Sequence, residues 1–216
     1  MRPPSDHSRK TASAEKGIAV PRRTPEKHDG VMRPHGREHF EVGESRLCSF
    51  IRRMQAQRDC LDLAAEMIVG IPGVVLELGL GNGRTYDHLR RLLPDREIFA
   101  FDRHIAAHPS CIPDSDHVFL GDIRETLPRA VEVLGASAAL IHHDMGTGDV
   151  RSNADLALVM NKYLVPLACP GAIIVANQAL NAPGLRAIEP PSGMPPGRYF
   201  LYRVQPGSSA TASQTH

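Results

Sequence analysis

The stretch Val74-Val75-Leu76-Glu77-Leu78-Gly79-Leu80-Gly81-Asn82-Gly83-Arg84-Thr85 constrains the fold of this chain more than any other. An apolar run of strand type leads into an acid and then into three glycines at alternate positions. Lacking a Cβ, glycine accepts positive φ, so the backbone can turn sharply and a ligand can lie directly against it. The spacing matters as much as the residue type. A dinucleotide fingerprint reads G-x-G-x-x-G, and its last position holds Arg84 here, which argues against a dehydrogenase.

Four further apolar runs follow at the rhythm of an α/β chain. Glu97–Asp102 reads as a second buried strand closing on a carboxylate, and Val118–Ile123 contains a third that meets Asp122. Ala138–His142 is a fourth and Gly171–Asn177 a fifth. Continuous rather than alternating hydrophobicity is expected of parallel strands covered on both faces. Ligands bind beyond the carboxyl ends of such strands, and the ends here carry Glu77, Asp102, Asp122, His142-His143-Asp144 and Asn177. An acid about twenty residues past the glycines, as Asp102 is, suits ribose hydroxyls. The plainer reading is that Asp102 and Asp122 cap the helices that follow them.

The pattern E-x-G-x-G-x-G over Glu77–Gly83 resembles motif I of class I S-adenosylmethionine-dependent methyltransferases, and the resemblance extends over roughly residues 71–175. The segments ELGLGNGRTY and GDIRETLP also look like those of a small bacterial methyltransferase group. The resemblance implies a Rossmann-like α/β fold, doubly wound around a mostly parallel sheet, with S-adenosylmethionine as cofactor. It implies that Glu77, Leu78, Gly79, Gly81, Asn82, Gly83 and Thr85 cradle that cofactor. Asp102 and Arg103 then belong at the ribose, with Gly121, Asp122 and Ile123 at the adenine.

Composition sets bounds. A chain of 216 residues can bury one good core, so one domain over residues 37–205 is expected. The net charge of +1 and the absence of Trp give no support to a nucleic-acid platform. No apolar run approaches the roughly eighteen residues of a membrane span. The scattered Cys48, Cys60, Cys111 and Cys169 form no C-x-x-C pair, which fits a reducing cytoplasm and neither a disulfide framework nor a zinc site.

Residues 1–36 are rich in proline and charge and lack an apolar h-region, so they read as a disordered tail rather than a secretory signal, with Met32 as a second candidate start. Residues 206–216 read as a second tail. From Glu44 to Val69 the spacing predicts a leading amphipathic helix, N-capped by Ser45 and stopped by Gly70 and Pro72. Leu47, Ile51, Met54, Leu61, Ala65 and Ile68 are expected inward. Arg53, Gln57 and Arg58 lie either on a solvated face or over the cofactor mouth. Further helices are expected over Thr85–Leu93 and Asn153–Leu167, and a final strand, antiparallel and near the sheet edge, over Arg198–Val204. The first of these helices would offer its N-terminus to the cofactor carboxylate.

Candidate catalytic residues lie in the loop after the fourth strand: His142, His143 and Asp144. Histidine titrates near neutral pH, and an adjacent acid can orient it. Alternation places His142 toward the mouth and His143 away from it. General base and pocket-shaping roles are both open. A magnesium site of the catechol O-methyltransferase kind would need acids where His142 and Asn177-Gln178 stand, so no metal is expected. His104 and His108 are read as surface histidines, because Pro109 disfavours helix geometry at His108. The Asn/Asp-Pro-Pro-Tyr/Phe sequence of DNA amino-methyltransferases is absent. The short chain favours a small-molecule acceptor; the alternative is a non-catalytic protein that binds S-adenosylmethionine or S-adenosylhomocysteine. A sheet edge and the leading helix leave a homo-oligomer open.

Overall fold

The computed structural model describes residues 45–146 and 150–207. The expected tail over residues 1–36, and all but the first two residues of the expected C-terminal tail, lie outside them. Seven strands form one sheet in the order β3-β2-β1-β4-β5-β7-β6. In chain order the elements are α1 (Arg46–Met67), β1 (Val74–Leu78), α2 (Arg84–Leu92), β2 (Ile98–Asp102), β3 (Val118–Leu120), α3 (Ile123–Leu134), β4 (Ala138–His143), α4 (Val150–Leu167), β5 (Ala168–Ala176), β6 (Leu185–Ile188) and β7 (Phe200–Val204). Strands β1 to β5 pair in parallel, and β7 runs antiparallel between β5 and β6.

The continuous apolar runs are explained by two packed faces. On one, Leu61 of α1, Ile68 at its C-cap and Leu89 of α2 meet Val75, Leu140, Ile173 and Leu201. On the other, Leu127 of α3 and Met160 and Leu164 of α4 meet Leu76, Phe101, Ile141 and Ile174. Each fully buried side chain of this size stabilises by about 1.5–3 kcal/mol, so neither layer is dispensable. Among the described residues no helix is long and apolar enough to cross a membrane.

Three expectations need correction. Leu47 and Ile51 are 66% and 45% exposed, because α1 packs on the sheet only from Ala56 onward and its first turns project over the strand ends. The Ser45 cap itself is present, its hydroxyl accepting from the Cys48 N–H at 3.1 Å. On α2, which runs one residue earlier than expected, only Leu89 is buried, with Tyr86 and Leu93 packed partly against the core. Finally, the chain makes a further strand at Leu185–Ile188, to which no element was assigned, held at the sheet edge by pairing with β7. A loop rather than a helix joins β5 to β6.

Candidate active site

The glycine turn leaves β1 and enters α2 with positive φ at Gly79, Gly81 and Gly83. At Gly79 a Cβ would stand 3.0 Å from Met145 Cγ and 3.2 Å from the Asp144 carbonyl, so the protein's own packing demands glycine there. Gly81 differs: a Cβ would meet nothing within 4 Å, and the space it leaves faces a cleft. The loop is fastened by Asp102 at the end of β2, whose carboxylate accepts from the Gly81 N–H at 2.8 Å and the His104 N–H at 3.2 Å.

Three cavities open around this turn. A cleft of about 370 Å³ is lined by Gly79, Gly81, Asp102 and Arg103, with apolar walls from Ile123, Met145 and Leu156. A second, of about 250 Å³, runs under α1 between Phe50, Arg53 and Met54 on one side and Asn82, Arg84 and Thr85 on the other. The third, of about 350 Å³, lies between α1 and the ends of β4, β5 and β7, and includes Asn177, Gln178, Arg198 and Tyr199. Asp144 lines all three.

Strand register explains how Asp144 reaches that junction. Its N–H donates to the Leu78 carbonyl at 3.2 Å, and the Asn177 N–H donates to the His143 carbonyl at 3.0 Å, so the ladder carries one step past the strands. Four donor contacts then converge on the carboxylate. Arg53 Nη2 donates to its oxygens at 2.8 and 3.1 Å, Gln57 Nε2 at 2.7 Å and Asn177 Nδ2 at 2.8 Å. Burial raises the Asp144 pKa, but Arg53, His142 and the donated hydrogen bonds more than offset it and hold the carboxyl below its ordinary value.

The same register pairs Glu77 with His142 across β1 and β4, on the face covered by α1. Both are fully buried. Glu77 accepts from the Thr85 hydroxyl and from His142 Nδ1, the latter at 2.7 Å. A carboxylate only accepts, so Nδ1 carries the proton, and Nε2 faces Gln57 Nε2–H at 3.4 Å. Burial opposes protonation of His142, but the adjacent Glu77 and then Asp144 raise its pKa above the ordinary value. The Tyr199 ring stacks on the imidazole at 6.5 Å between centroids.

His143 points to the other face, in register with Leu78 and Ala176. It is fully buried, and among the described residues neither ring nitrogen has a hydrogen-bond partner. Burial and the neighbouring His142 push its pKa down to about 4, so it is a neutral side chain inside the core layer of α3 and α4.

The expected cofactor residues separate into three groups. Gly79, Gly81, Asp102, Arg103 and Ile123 line the cleft, and Asn82 and Thr85 the cavity beside it. Glu77, Leu78, Gly83 and Gly121 line neither, and act as the frame: Leu78 is core, the Gly83 N–H bonds Leu80, and the Gly121 N–H ties β3 to Asp102. Asp122 N-caps α3 through the Arg124 N–H at 2.9 Å and pairs with Arg103 at 2.5 Å, which is the plainer of its two expected roles. Arg58 is turned away and pairs with Asp59, whereas Arg53 and Gln57 face the site. Met145, Leu156, Arg198 and Tyr199 were not foreseen. Arg198 and Tyr199 open the alternating run Arg198–Val204, and that was the one signal for them. His104 and His108 are exposed.

The fit to S-adenosylmethionine rests on this geometry. The cleft offers an acid where ribose hydroxyls would lie, apolar walls for adenine and the open space at Gly81; the adjoining cavity ends at the α2 N-terminus, where Gly83 supplies no capping side chain and only the Arg84 N–H donates to a side chain, Asn82 Oδ1 at 3.4 Å, so the following N–H groups of the first turn can meet a carboxylate. A family model described as S-adenosyl-L-methionine methyltransferase matches residues 44–204. The crystal structure of an S-adenosyl-L-methionine methyl transferase from Silicibacter pomeroyi DSS-3 is 42% identical, with 74% of this chain and 99% of that one covered at a TM-score of 0.71. A SAM-dependent methyltransferase from Neisseria gonorrhoeae is 14% identical over 69% of this chain and 72% of its own, with a TM-score of 0.47. No curated protein matches the chain. The family model and the Silicibacter relative settle the family: the chain belongs to the S-adenosyl-L-methionine methyltransferase family.

Proposed function

We propose that this methyltransferase holds its cofactor across the first two cavities and receives a small-molecule acceptor in the third. The observation that carries the reading is that all three cavities meet at Asp144. Bound S-adenosylmethionine supplies an electrophilic methyl group, and the sulfonium belongs where its adenosine and methionine halves join. Gly79 and Gly81 line both of those cavities, which supports placing the junction beside Asp144. Methyl transfer then depends mainly on alignment and exclusion of water. In this reading Asp144 positions, His142 buttresses Gln57 from beneath, and Asp102 binds ribose. A cavity of about 350 Å³ is within the range of small-molecule sites and supports a compact acceptor.

Calorimetric titration of the full chain with S-adenosylmethionine, S-adenosylhomocysteine and NAD tests the cofactor site. The two sulfur ligands should bind and NAD should not. Asp102→Ala removes charge-assisted hydrogen bonds of roughly 1.5–3 kcal/mol, so affinity should fall at least about tenfold. Wild-type affinity in that variant would overturn the ribose assignment. Methyl incorporation from labelled cofactor into RNA, with none into a metabolite extract, would overturn the small-molecule acceptor.

A further inference from the structure

We propose that the acceptor is a small anion whose carboxylate or phosphate group is held by Arg198 in the third cavity; this rests on the assignment of that cavity to the acceptor. Among the described residues the charges on its wall do not cancel. Asp144 supplies one carboxylate, but Arg53 lies against it at 2.8 Å while Gln57 and Asn177 donate to it as well. Arg198 is the second guanidinium on the wall, and it is part-buried. Its partner among the described residues is the Ser49 hydroxyl at 3.2 Å, which is uncharged. That bond anchors one nitrogen against α1 and leaves the rest of a planar donor fork, the geometry that recognises carboxylate or phosphate in bidentate fashion.

The same wall discriminates against acceptors that must shed a proton. Among the described residues lining this cavity no side chain is a free base. Both Asp144 oxygens accept from donors already present, and burial, reinforced by Asp144, holds the Tyr199 phenol protonated. His142 lies beneath Gln57 and does not line the cavity. An acceptor that arrives ionised needs no base. Its lone pair forms the bond to the methyl carbon as the carbon–sulfur bond breaks, S-adenosylhomocysteine leaves, and no proton changes hands.

The test uses the full chain saturated with S-adenosylhomocysteine, titrated calorimetrically with benzoate, with inorganic phosphate, and with benzamide as the uncharged counterpart of benzoate. Benzoate or phosphate should bind, the stronger of the two identifying the anion class, and benzamide should bind at least about tenfold more weakly. Arg198→Gln should weaken the anion about tenfold or more, while Arg58→Gln, on the outer face of α1, should leave it unchanged. S-adenosylhomocysteine affinity reports whether each variant is folded; should Arg198→Gln fail to fold, Arg198→Lys replaces it and should also weaken the anion. Equal binding of benzamide and benzoate, no anion bound, or undiminished anion binding in the Arg198 variant would each overturn the proposal. Failure of S-adenosylhomocysteine itself to bind overturns the cofactor assignment instead, so the two failures are distinct.

Discussion

His143 makes the stability of this protein depend on pH in a way that can be isolated. The side chain is sealed in the core with both ring nitrogens unpaired among the described residues, so protonating it would bury an uncompensated charge. Its folded pKa is depressed to about 4 from an ordinary 6.5. The sign follows from linkage. Below 6.5 the unfolded chain takes up a proton that the folded chain refuses, so stability is lost as pH falls from 6.5 toward 4. The gap corresponds to about 3.4 kcal/mol once the pH is below both values, and to about 2 kcal/mol between about pH 7.5 and about pH 5. His142, whose pKa is raised, and Asp144, whose pKa is lowered, also titrate, so the pH curve of the wild-type chain mixes several groups. Comparison with His143→Leu separates them, because leucine fills a similar volume and titrates nowhere. Urea unfolding of both chains should show the variant at least as stable at about pH 7.5, where two unpaired buried nitrogens have been removed, and ahead by about 2 kcal/mol more at about pH 5. A stability difference that stays constant to within about 0.5 kcal/mol between the two pH values would refute the reasoning. It would mean that His143 finds a proton acceptor when the fold is intact.

Two further predictions concern the frame beneath the site. Glu77→Gln removes the only charge within hydrogen-bond reach of His142 Nδ1 among the described residues and should cost about 3 kcal/mol in urea unfolding, with a loss under about 1 kcal/mol refuting a structural role for the pair. Because Glu77 raises the His142 pKa, its stabilisation is fully present below 6.5 and fades as pH climbs through the folded value, so the variant's deficit should shrink at high pH. Gly79→Ala and Gly81→Ala should separate packing from binding. The first meets Met145 and the Asp144 carbonyl at positive φ and should lose about 1–3 kcal/mol of stability. The second enters open space and should lose about 1–2 kcal/mol from its backbone alone, yet bind S-adenosylhomocysteine at least about tenfold more weakly. Unchanged affinity in Gly81→Ala would show that nothing lies against that loop.

Much of this arrangement was legible in the sequence because parallel strands advertise themselves. Five apolar runs buried on both faces require no long-range information to identify, and the acids at their ends follow from where strands stop. The parts that were not legible are those decided by pairing at a distance. β6 is only four residues, Leu185 to Ile188, with its middle pair exposed, and it is a strand because β7 offers it partners. The inward face of α1 was misjudged at Leu47 and Ile51 because periodicity gives a helix's apolar stripe but not how far along the helix the sheet extends. Alternation did put the two histidines on opposite faces of the sheet, but His142 is fully buried beneath Gln57 rather than at the mouth. Alternation was silent on Gln57, 85 residues from His142 in the chain, whose amide joins His142 to Asp144. Asp122 shows the converse: local capping of α3 was readable, and it is what the carboxylate does.

A positioning role and a general-base role make opposite demands on Asp144. A base needs a free lone pair facing the acceptor and a pKa near neutrality. A strut needs saturated hydrogen bonding and a low pKa, so that it keeps its charge and its geometry. Asp144 meets the second set: α1 supplies Arg53 and Gln57, the end of β5 supplies Asn177, and the carboxyl stays ionised. Fastening α1 to two strand ends through one side chain fixes the wall shared by the three cavities, which on the proposed assignment is where in-line alignment is decided. Under the reading proposed here, Asp144→Asn should therefore lower the rate at saturating acceptor through misalignment and leave the pH profile of methyl transfer unaltered in shape. A profile that loses its acidic limb in the variant would make Asp144 the base after all, and would reopen the cavity to acceptors that arrive with their proton.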